Sequence, residues 1–176
     1  MALPINTAPT YSLTIPSTGD KVKFRPFLVK EEKALLIAQQ SEDIVTMVDT
    51  LKSVIKSCIL DKINPDDLST FDLEYMFMQI RGKSVGEAID LVFPCDDCIG
   101  NEKARASITL DINDIKVEKS PEHTNKIPLY GDVGVVMKYP TVDILKKLEG
   151  LEDNDLEKVF DIMAYSIDYI YDADQI

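Results

Sequence analysis

Residues 10–27 read TYSLTIPSTGDKVKFRPF, two alternating segments on either side of a polar turn. In each segment the apolar residues fall on one face. They are Tyr11, Leu13 and Ile15 in the first segment and Val22 and Phe24 in the second. Such alternation is typical of half-buried strands, and STGD (17–20) has the composition of a turn. The stretch therefore predicts a β-hairpin. Pro26 has no amide proton to donate, so we expect the second strand to lie at an edge or to end there.

Two helices are predicted directly after the hairpin. Residues 29–40, VKEEKALLIAQQ, are rich in helix formers and carry acids in the first turn, where the helix dipole favours them. Residues 41–61 follow, with Ser41 as the expected N-cap. Their apolar side chains recur with helical spacing: Ile44, Val48, Leu51, Ile55, Cys58 and Ile59. We expect this face, Cys58 included, to enter the core.

A third helix is predicted over residues 71–84, after the break at Asn64-Pro65. Ser69 or Thr70 is the expected N-cap, and Gly82 is expected to end the helix. Its apolar stripe consists of Leu73, Met76, Phe77 and Ile80.

Two strands are predicted on either side of VFPCDDCIG (92–100), at residues 86–95 and 103–114. The second alternates strictly, with apolar residues at Ala104, Ala106, Ile108, Leu110 and Ile112. That pattern predicts a strand with one buried face. The two strands would form a hairpin, inserted at about residues 86–118, whose tip is the CxxC segment.

The last third of the chain is predicted to be mainly helical. Residues 120–134 have loop composition, 134–140 predict a short strand, and 141–151 and 154–176 predict helices. The last helix has a broad apolar face that includes Leu156, Val159, Phe160, Met163, Ile167 and Ile170. A helix with such a face is expected to bury it inside the protein or against a partner.

These elements predict the α+β class: a small, mostly antiparallel sheet with an N-terminal β-hairpin and a CxxC-tipped β-hairpin, packed by about five helices. We divide the chain into an α+β core domain at residues 1–150 and an acidic, partner-binding C-terminal helix at residues 151–176.

Cys95 and Cys98 are the candidate metal ligands. A closed zinc site needs four ligands, and this pair supplies two. An ion shared by two chains would complete a four-cysteine site and would imply an oligomer. Asp96 and Asp97 disfavour a reactive thiolate, and the segment does not open a helix, so a redox motif is disfavoured. Bound zinc and a metal-free turn both remain open.

The charge of the chain limits its partners. The net charge of −12 argues against a nucleic-acid partner, and no apolar run reaches the length of about 18 residues that a membrane span requires. Residues 149–176 alone carry nine acids and one lysine, a net charge of −8. This segment is either a solvated helix face or a docking element for a basic partner.

No catalytic constellation is recognisable in the sequence. His123 is the only histidine and lies in SPEHTN, a polar segment without a nucleophile signature. No HExxH or comparable ligand pair is present either. We therefore predict a protein without enzymatic activity.

Two stretches carry a resemblance to a known family: VKFRPFLVKEEKALLIA (22–38) and FDLEYMFMQIRGKSVGE (71–87). Together with the CxxC segment that follows, they resemble the T4-type bacteriophage baseplate hub subunit and tail assembly protein family. The resemblance runs in order from about Tyr11 to about Tyr171. Related chains often carry the cysteine pair within a fuller zinc knuckle, whereas here two aspartates separate the cysteines.

The resemblance implies a non-enzymatic protein of a contractile tail that binds other baseplate hub proteins or the tape measure protein. It would be found in the host cytoplasm during assembly and in the tail baseplate of the virion. One alternative is a tail assembly chaperone that binds the tape measure protein and is absent from the mature virion. Another, of a different class, is a zinc-knuckle binding module.

Eight residues are the candidates for partner binding: Phe24, Arg25, Phe27, Arg81, Phe160, Met163, Ile167 and Ile170. The first three belong to the family-like stretch and are expected to fix the exit of the hairpin. Arg81 is expected either to pair with an acid such as Glu31 or Glu32 across helices or to face a partner.

Overall fold

The structure is a computed structural model that describes residues 8–94, 105–147 and 156–172. Within these ranges the chain forms seven β-strands and five α-helices. In chain order they are β1 (Tyr11–Thr14), β2 (Lys21–Phe24), α1 (Val29–Gln40), α2 (Ile44–Cys58), α3 (Thr70–Val85), β3 (Ala88–Pro94), β4 (Arg105–Asp111), β5 (Lys126–Tyr130), β6 (Val133–Met137), α4 (Val142–Lys147), α5 (Leu156–Tyr165) and β7 (Ile167–Tyr171).

The strands of the described residues form three small antiparallel sheets. They are the β1–β2 hairpin, the β3–β4 hairpin and a three-stranded sheet in the order β5–β6–β7. The predicted α+β class, with small antiparallel sheets and about five helices, is confirmed. The cysteine pair predicted at the tip of the β3–β4 hairpin lies outside the described residues.

The main core lies between the β1–β2 hairpin, α2 and α3. The outer edge of β2 is covered by the chain that leaves α2, because the amide of Arg25 donates to the Cys58 carbonyl at 3.0 Å and that of Leu60 donates to the Lys23 carbonyl at 2.9 Å. The core consists of Leu13, Ile15, Val22, Phe24, Val54, Ile55, Cys58, Ile59, Leu68, Leu73, Met76, Ile80 and Val142. The predicted hairpin and the predicted core position of Cys58 are thus confirmed.

A buried carboxylate joins the hairpin turn to the start of α3. Ser69 caps this helix, as predicted, by accepting a hydrogen bond from the Asp72 amide at 3.3 Å. Asp72 is fully buried, and its Oδ1 accepts a hydrogen bond from the Ser17 amide at 2.9 Å. The Ser69 hydroxyl donates to the other carboxylate oxygen. These bonds fix the turn of the hairpin against the helix N-terminus.

The start of α2 differs from the prediction. Asp43, not Ser41, is the N-cap, and its carboxylate accepts a hydrogen bond from the Thr46 amide at 2.9 Å. The Ser41 hydroxyl instead donates to the Ala38 carbonyl at 2.7 Å and so closes the end of α1. The short loop between the helices thus uses Asp43, a favoured N-cap residue, to start α2, and Ser41 to close the end of α1.

Gly82 does not end α3, contrary to the prediction. It is buried inside the helix, where Ile112 packs over it, and the helix continues to Val85. Gly86 follows with φ 137°, a conformation that L side chains rarely adopt. The role predicted for Gly82 therefore belongs to Gly86, and Gly82 provides space for the root of the β3–β4 hairpin.

The predicted buried face of the second CxxC strand is also wrong. Every residue of β4 is exposed, because no layer of the described structure covers this two-stranded hairpin. Ile112 is buried, but it lies beyond the strand in a 3-10 turn, Ile112–Asp114, that packs on α3. The hairpin is therefore held at its root and leaves the apolar side chains of β4 uncovered.

The C-terminal third contains more strand than predicted. Residues expected to be loop form β5, and the helix predicted over 154–176 ends at Tyr165 and is followed by β7. Both strands hydrogen-bond to β6, the one strand predicted in this region. Pairing with β6 satisfies backbone groups along one edge of Ile167–Tyr171 and outweighs the helical spacing of these residues.

Lys52 connects this third to the main core. Its amine is nearly buried and lies 2.9 Å from the Asp66 carboxylate and 2.7 Å from that of Asp143 on α4. Burial alone would lower the pKa of Lys52, but these hydrogen bonds outweigh it and raise the pKa.

Among the helices described, none is both long and apolar enough to cross a membrane.

Candidate functional site

Three partner-binding residues were predicted at the exit of the first hairpin, and the structure places all three in contacts within the chain. Phe24 alternates with Val22 on the inward face of β2 and is 1% exposed. Its ring is a core side chain of this chain, and contact of Phe24 with a partner stays a prediction. Phe27 is half-buried against the core, and its amide donates to the Ser84 hydroxyl at 2.9 Å.

Arg25 is held by Glu31 on α1. Its Nη2 lies 3.0 Å from Glu31 Oε1, and its Nη1 donates to the Pro26 carbonyl at 2.9 Å. Glu31 is buried and also accepts hydrogen bonds from the Leu28 amide at 2.8 Å and the Ser57 hydroxyl at 3.1 Å. Burial alone would raise the pKa of Glu31, but the hydrogen bonds from Arg25 and Leu28 lower it to about 2. This ion pair fixes the exit of the hairpin.

Arg81 is only partly buried on α3. Its Nη1 atom is buried and has no hydrogen-bond partner among the described residues. The predicted pairing with Glu31 is not seen, since Glu31 is occupied by Arg25 and Lys30. Contact of Arg81 with a partner stays a prediction.

Of the three cysteines, the structure describes Cys58. Cys58 is fully buried, and burial raises the pKa of its thiol, which disfavours the thiolate that binds metals. Cys95 and Cys98 lie outside the described residues. Among the described residues no three His, Cys, Asp or Glu side chains are grouped to hold a metal ion. Zinc at Cys95 and Cys98 stays a prediction.

His123 lies beside an aromatic pair. Its ring stacks on Tyr139 with the centroids 5.9 Å apart, and its Nε2 is 2.8 Å from the Tyr139 hydroxyl. Tyr139 also meets the ring of Phe71 edge to face at 4.8 Å. A shallow pocket of about 210 Å³ lies against these rings, Val117 and Lys119. The histidine is exposed, as predicted, and its described partner is an aromatic hydroxyl.

Helix α5 presents a row of large apolar side chains to solvent. Leu156, Val159, Phe160 and Met163 recur at i, i+3, i+4 and i+7 and are between 50% and 72% exposed. We call these four residues the α5 stripe. Ile162, on the other side of the helix, is partly buried. The structure thus brings the predicted residues Phe160 and Met163 together on one uncovered face.

Ile167 and Ile170 are not part of this helix. They belong to β7, where Ile170 pairs with Val135 of β6 and Ile167 with Met137. Ile167 is partly buried and Ile170 is exposed. Their predicted place on a continuous helical face is wrong, because the chain changes to a strand at residue 167.

Residue 166 fixes the turn between α5 and β7. Ser166 is buried, and both its amide and its hydroxyl donate to the Ile162 carbonyl, at 3.0 Å and 2.7 Å. Its carbonyl accepts a hydrogen bond from the Lys138 amide at 2.7 Å. The end of α5 is therefore attached to the end of β6, the middle strand of the sheet, while the α5 stripe stays uncovered.

Two further exposed apolar surfaces were not among the predicted sites. One lies at the loop between α1 and α2 and comprises Leu36, Ile37, Ile44 and Met47. The other is a face of the β3–β4 hairpin with exposed Phe93 and Ile108, where cross-strand pairs place the partly buried Leu91 opposite Ile108 and Phe93 opposite Ala106. The alternation of the β4 sequence indicated this face, but only the structure places it in solvent.

Comparison with protein families finds one match that covers nearly all of the chain. The model for the family described as T4 bacteriophage base plate protein matches residues 8–176. Comparisons with curated proteins and with solved structures give no match. The match includes the hairpin, the main core and the C-terminal sheet together with α5. The chain therefore belongs to the family of T4 bacteriophage base plate proteins.

Proposed function

We propose that the chain is a non-enzymatic component or assembly factor of the baseplate hub of a contractile tail. In this role it binds another hub protein or the tape measure protein. Membership of the base plate family supports a structural or assembly role in the baseplate. Beyond this role, the proposal specifies that the chain acts in the hub of the baseplate, that it acts by binding, and that its partner is another hub protein or the tape measure protein.

The α5 stripe is the observation that carries the proposal. Four large apolar side chains on one face of a short helix are exposed to water, although the end of the same helix is hydrogen-bonded to the sheet. Covering such side chains is favourable by about 25 cal/mol per Å² of apolar surface. An exposed apolar patch of this kind is characteristic of a surface that binds another protein.

A pull-down from cells that co-express the chain with the other tail proteins tests the proposal. We expect a stable complex with a hub or tape measure protein, and size-exclusion chromatography with light scattering would give its stoichiometry. Recovery of the chain alone, from every such co-expression, would contradict the proposal.

Mass spectrometry of purified mature particles distinguishes a permanent component from an assembly factor. Stoichiometric peptides of the chain would identify a hub component. Their absence from particles, combined with a stable complex before assembly, would identify a chaperone that departs.

A further inference from the structure

We propose that residues 166–171 are a conformational switch between the strand β7 and a continuation of helix α5. In the structure these residues form a turn and the strand. In the alternative conformation α5 continues to residue 171, and β6 becomes an edge of the sheet. The switch is a property of this chain alone and does not depend on the proposed function.

Helix α5 ends without a stop signal. Residues 156–172 contain neither glycine nor proline, the two residues that most readily end a helix. The Ser166 amide still donates to the Ile162 carbonyl at 3.0 Å, which is the bond from residue i to residue i−4 of an α-helix. The Ser166 hydroxyl donates to the same carbonyl at 2.7 Å, a bond that serine also makes inside helices. The helix therefore stops because the next residue, Ile167, pairs with β6.

The sequence of β7 continues the helical pattern of α5. With 3.6 residues per turn, Ile167 and Ile170 fall within the same arc of about 100° as the α5 stripe. The acids Asp161, Asp168 and Asp172 fall together on the opposite side of such a helix. The extended helix would thus have six aligned apolar residues over about four turns and a separate polar side. This agreement with a second conformation is what a switch requires.

The strand is weakly attached to the sheet. It lies at an edge, and only its two end residues are partly buried. Val136 of β6 pairs with Tyr169, whereas the next residue, Met137, pairs with Ile167. The register therefore skips Asp168, and a bulge of this kind interrupts the ladder. Leaving the sheet uncovers little apolar surface, and the extended helix replaces the backbone hydrogen bonds that are lost.

Tyr171 makes the contacts that favour the strand. Its ring lies over Gly134, and Lys126 Nζ lies 4.2 Å from the ring centroid. Both contacts require Tyr171 to pair with Gly134, so the helical conformation loses them. Only that conformation aligns Ile167 and Ile170 with the α5 stripe. The contacts of Tyr171 therefore determine how long an apolar stripe this segment presents.

Backbone ¹³C chemical shifts of the full chain test the proposal, because Cα shifts distinguish helix, strand and coil at each residue. Tyr171→Ala removes the ring and introduces the best helix former. Gly134→Ala acts from β6, by placing a Cβ where the ring lies. Tyr130→Ala is the matched control, since Tyr130 belongs to the other edge strand of the same sheet and is 74% exposed.

We expect residues 167–170 to have strand shifts in the wild-type chain and in Tyr130→Ala. In Tyr171→Ala and in Gly134→Ala they should move toward helical values. Chemical exchange saturation transfer measures the minor conformation, and the ratio of helix to strand should rise at least about tenfold in both variants. Adding Asp168→Pro to Tyr171→Ala should abolish the helical shifts, because proline breaks a helix interior but is tolerated at a bulge of an edge strand.

Coil shifts for residues 167–170 in both Tyr171→Ala and Gly134→Ala would overturn the proposal, since the segment would then leave the sheet without becoming helical. Strand shifts retained in both variants would overturn it as well. So would helical shifts that persist when Asp168→Pro is added. The complex with a tail protein is measured separately, so failure of the switch leaves the proposed function standing.

Discussion

Glu31 is the buried charge that holds the exit of the first hairpin. It accepts hydrogen bonds from the backbone of Leu28 and the side chains of Arg25 and Ser57, which belong to the loop between β2 and α1 and to α2. The alternation of the strand could predict that Phe24 points inward. The partner of Arg25 could not be predicted, since it depends on how α1 turns back onto the hairpin. Arg25 is therefore a residue that stabilises the fold.

Glu31→Gln should destabilise the protein at neutral pH and much less in acid. Because the pKa of Glu31 is lowered from 4.5 to about 2, its contribution is present above pH 4.5 and is lost as the pH falls toward 2. We expect a loss of at most about 3 kcal/mol in the free energy of unfolding at pH 7. Urea denaturation of both proteins at pH 7 and pH 3 measures the difference.

Glu32→Gln is the matched control for this prediction, since Glu32 is the exposed neighbour on the same helix. It should change the free energy of unfolding by less than about 0.5 kcal/mol at both pH values. An effect of Glu31→Gln that is equally large at pH 7 and pH 3 would contradict the assignment.

Asp72→Ala should be among the most destabilising single changes at a polar residue. It removes the acceptor for the Ser17 amide and for the Ser69 hydroxyl in a fully buried place. We expect a loss of about 2–3 kcal/mol, and a smaller loss for Asp72→Asn, which keeps one acceptor oxygen. Glu74→Ala, at an exposed position of α3, is the control. Equal melting temperatures for Asp72→Ala and Glu74→Ala would rule out this role.

Zinc at Cys95 and Cys98 is also a question at the scale of single residues. If the pair binds zinc, elemental analysis of the purified protein should find the metal in a fixed ratio to the chain, and Cys95→Ser should remove it. A ratio near one ion per two chains would indicate a site shared in a dimer. Metal-free protein with the same melting temperature as the Cys95→Ser variant would leave the pair a simple turn.

At the scale of elements, β7 illustrates what a local pattern predicts and what it misses. The segment IDYIY combines helical spacing with β-branched and aromatic residues, which favour strands. The segment forms a strand because it pairs with the edge of β6, and the local sequence gives no information about that edge. The β5 segment was predicted to be loop, yet it forms an edge strand that contains Pro128, and an edge strand tolerates a proline. The first hairpin and the first three helices were predicted because their signals are local.

Gly134 is the position that allows β7 to pack on β6. Tyr171 is paired with it, and its ring lies over the glycine with Lys126 Nζ 4.2 Å from the ring centroid. Gly134→Ala would place a Cβ against that ring and 2.7 Å from the Ile127 carbonyl oxygen. We expect a loss of about 1–3 kcal/mol and faster hydrogen exchange of the β7 amides.

Gly82→Ala is the contrasting change. A Cβ there would meet Ile112 at 3.5 Å, an ordinary contact, and would replace a glycine in the middle of α3. It should be neutral or increase stability by up to about 1 kcal/mol.

The Gly134→Ala prediction has a clear contrary outcome. If the protection of the β7 amides from hydrogen exchange is unaffected by Gly134→Ala, Tyr171 does not fix the strand.

At the scale of the whole molecule, the described residues divide into a well-packed core and several uncovered apolar surfaces. The core joins the first hairpin to α2 and α3, and Lys52 links it to α4 through its ion pair with Asp143. The α5 stripe, the loop between α1 and α2 and the β3–β4 hairpin leave large apolar side chains in water. This distribution is expected of a protein that completes its structure within an assembly.

The size of the complex formed with co-expressed tail proteins tests most directly the claim that the chain acts by binding through α5. Light scattering after size-exclusion chromatography should find the wild-type chain in a stable complex with a hub or tape measure protein. A control variant that combines Leu36→Ser with Ile37→Ser, two exposed positions on α1, should form the same complex. The variant that combines Phe160→Ser with Met163→Ser, which changes the α5 stripe, should be folded but should elute alone. The account would be contradicted if the wild-type chain and both variants formed a complex of the same mass, or if none of the three formed a complex.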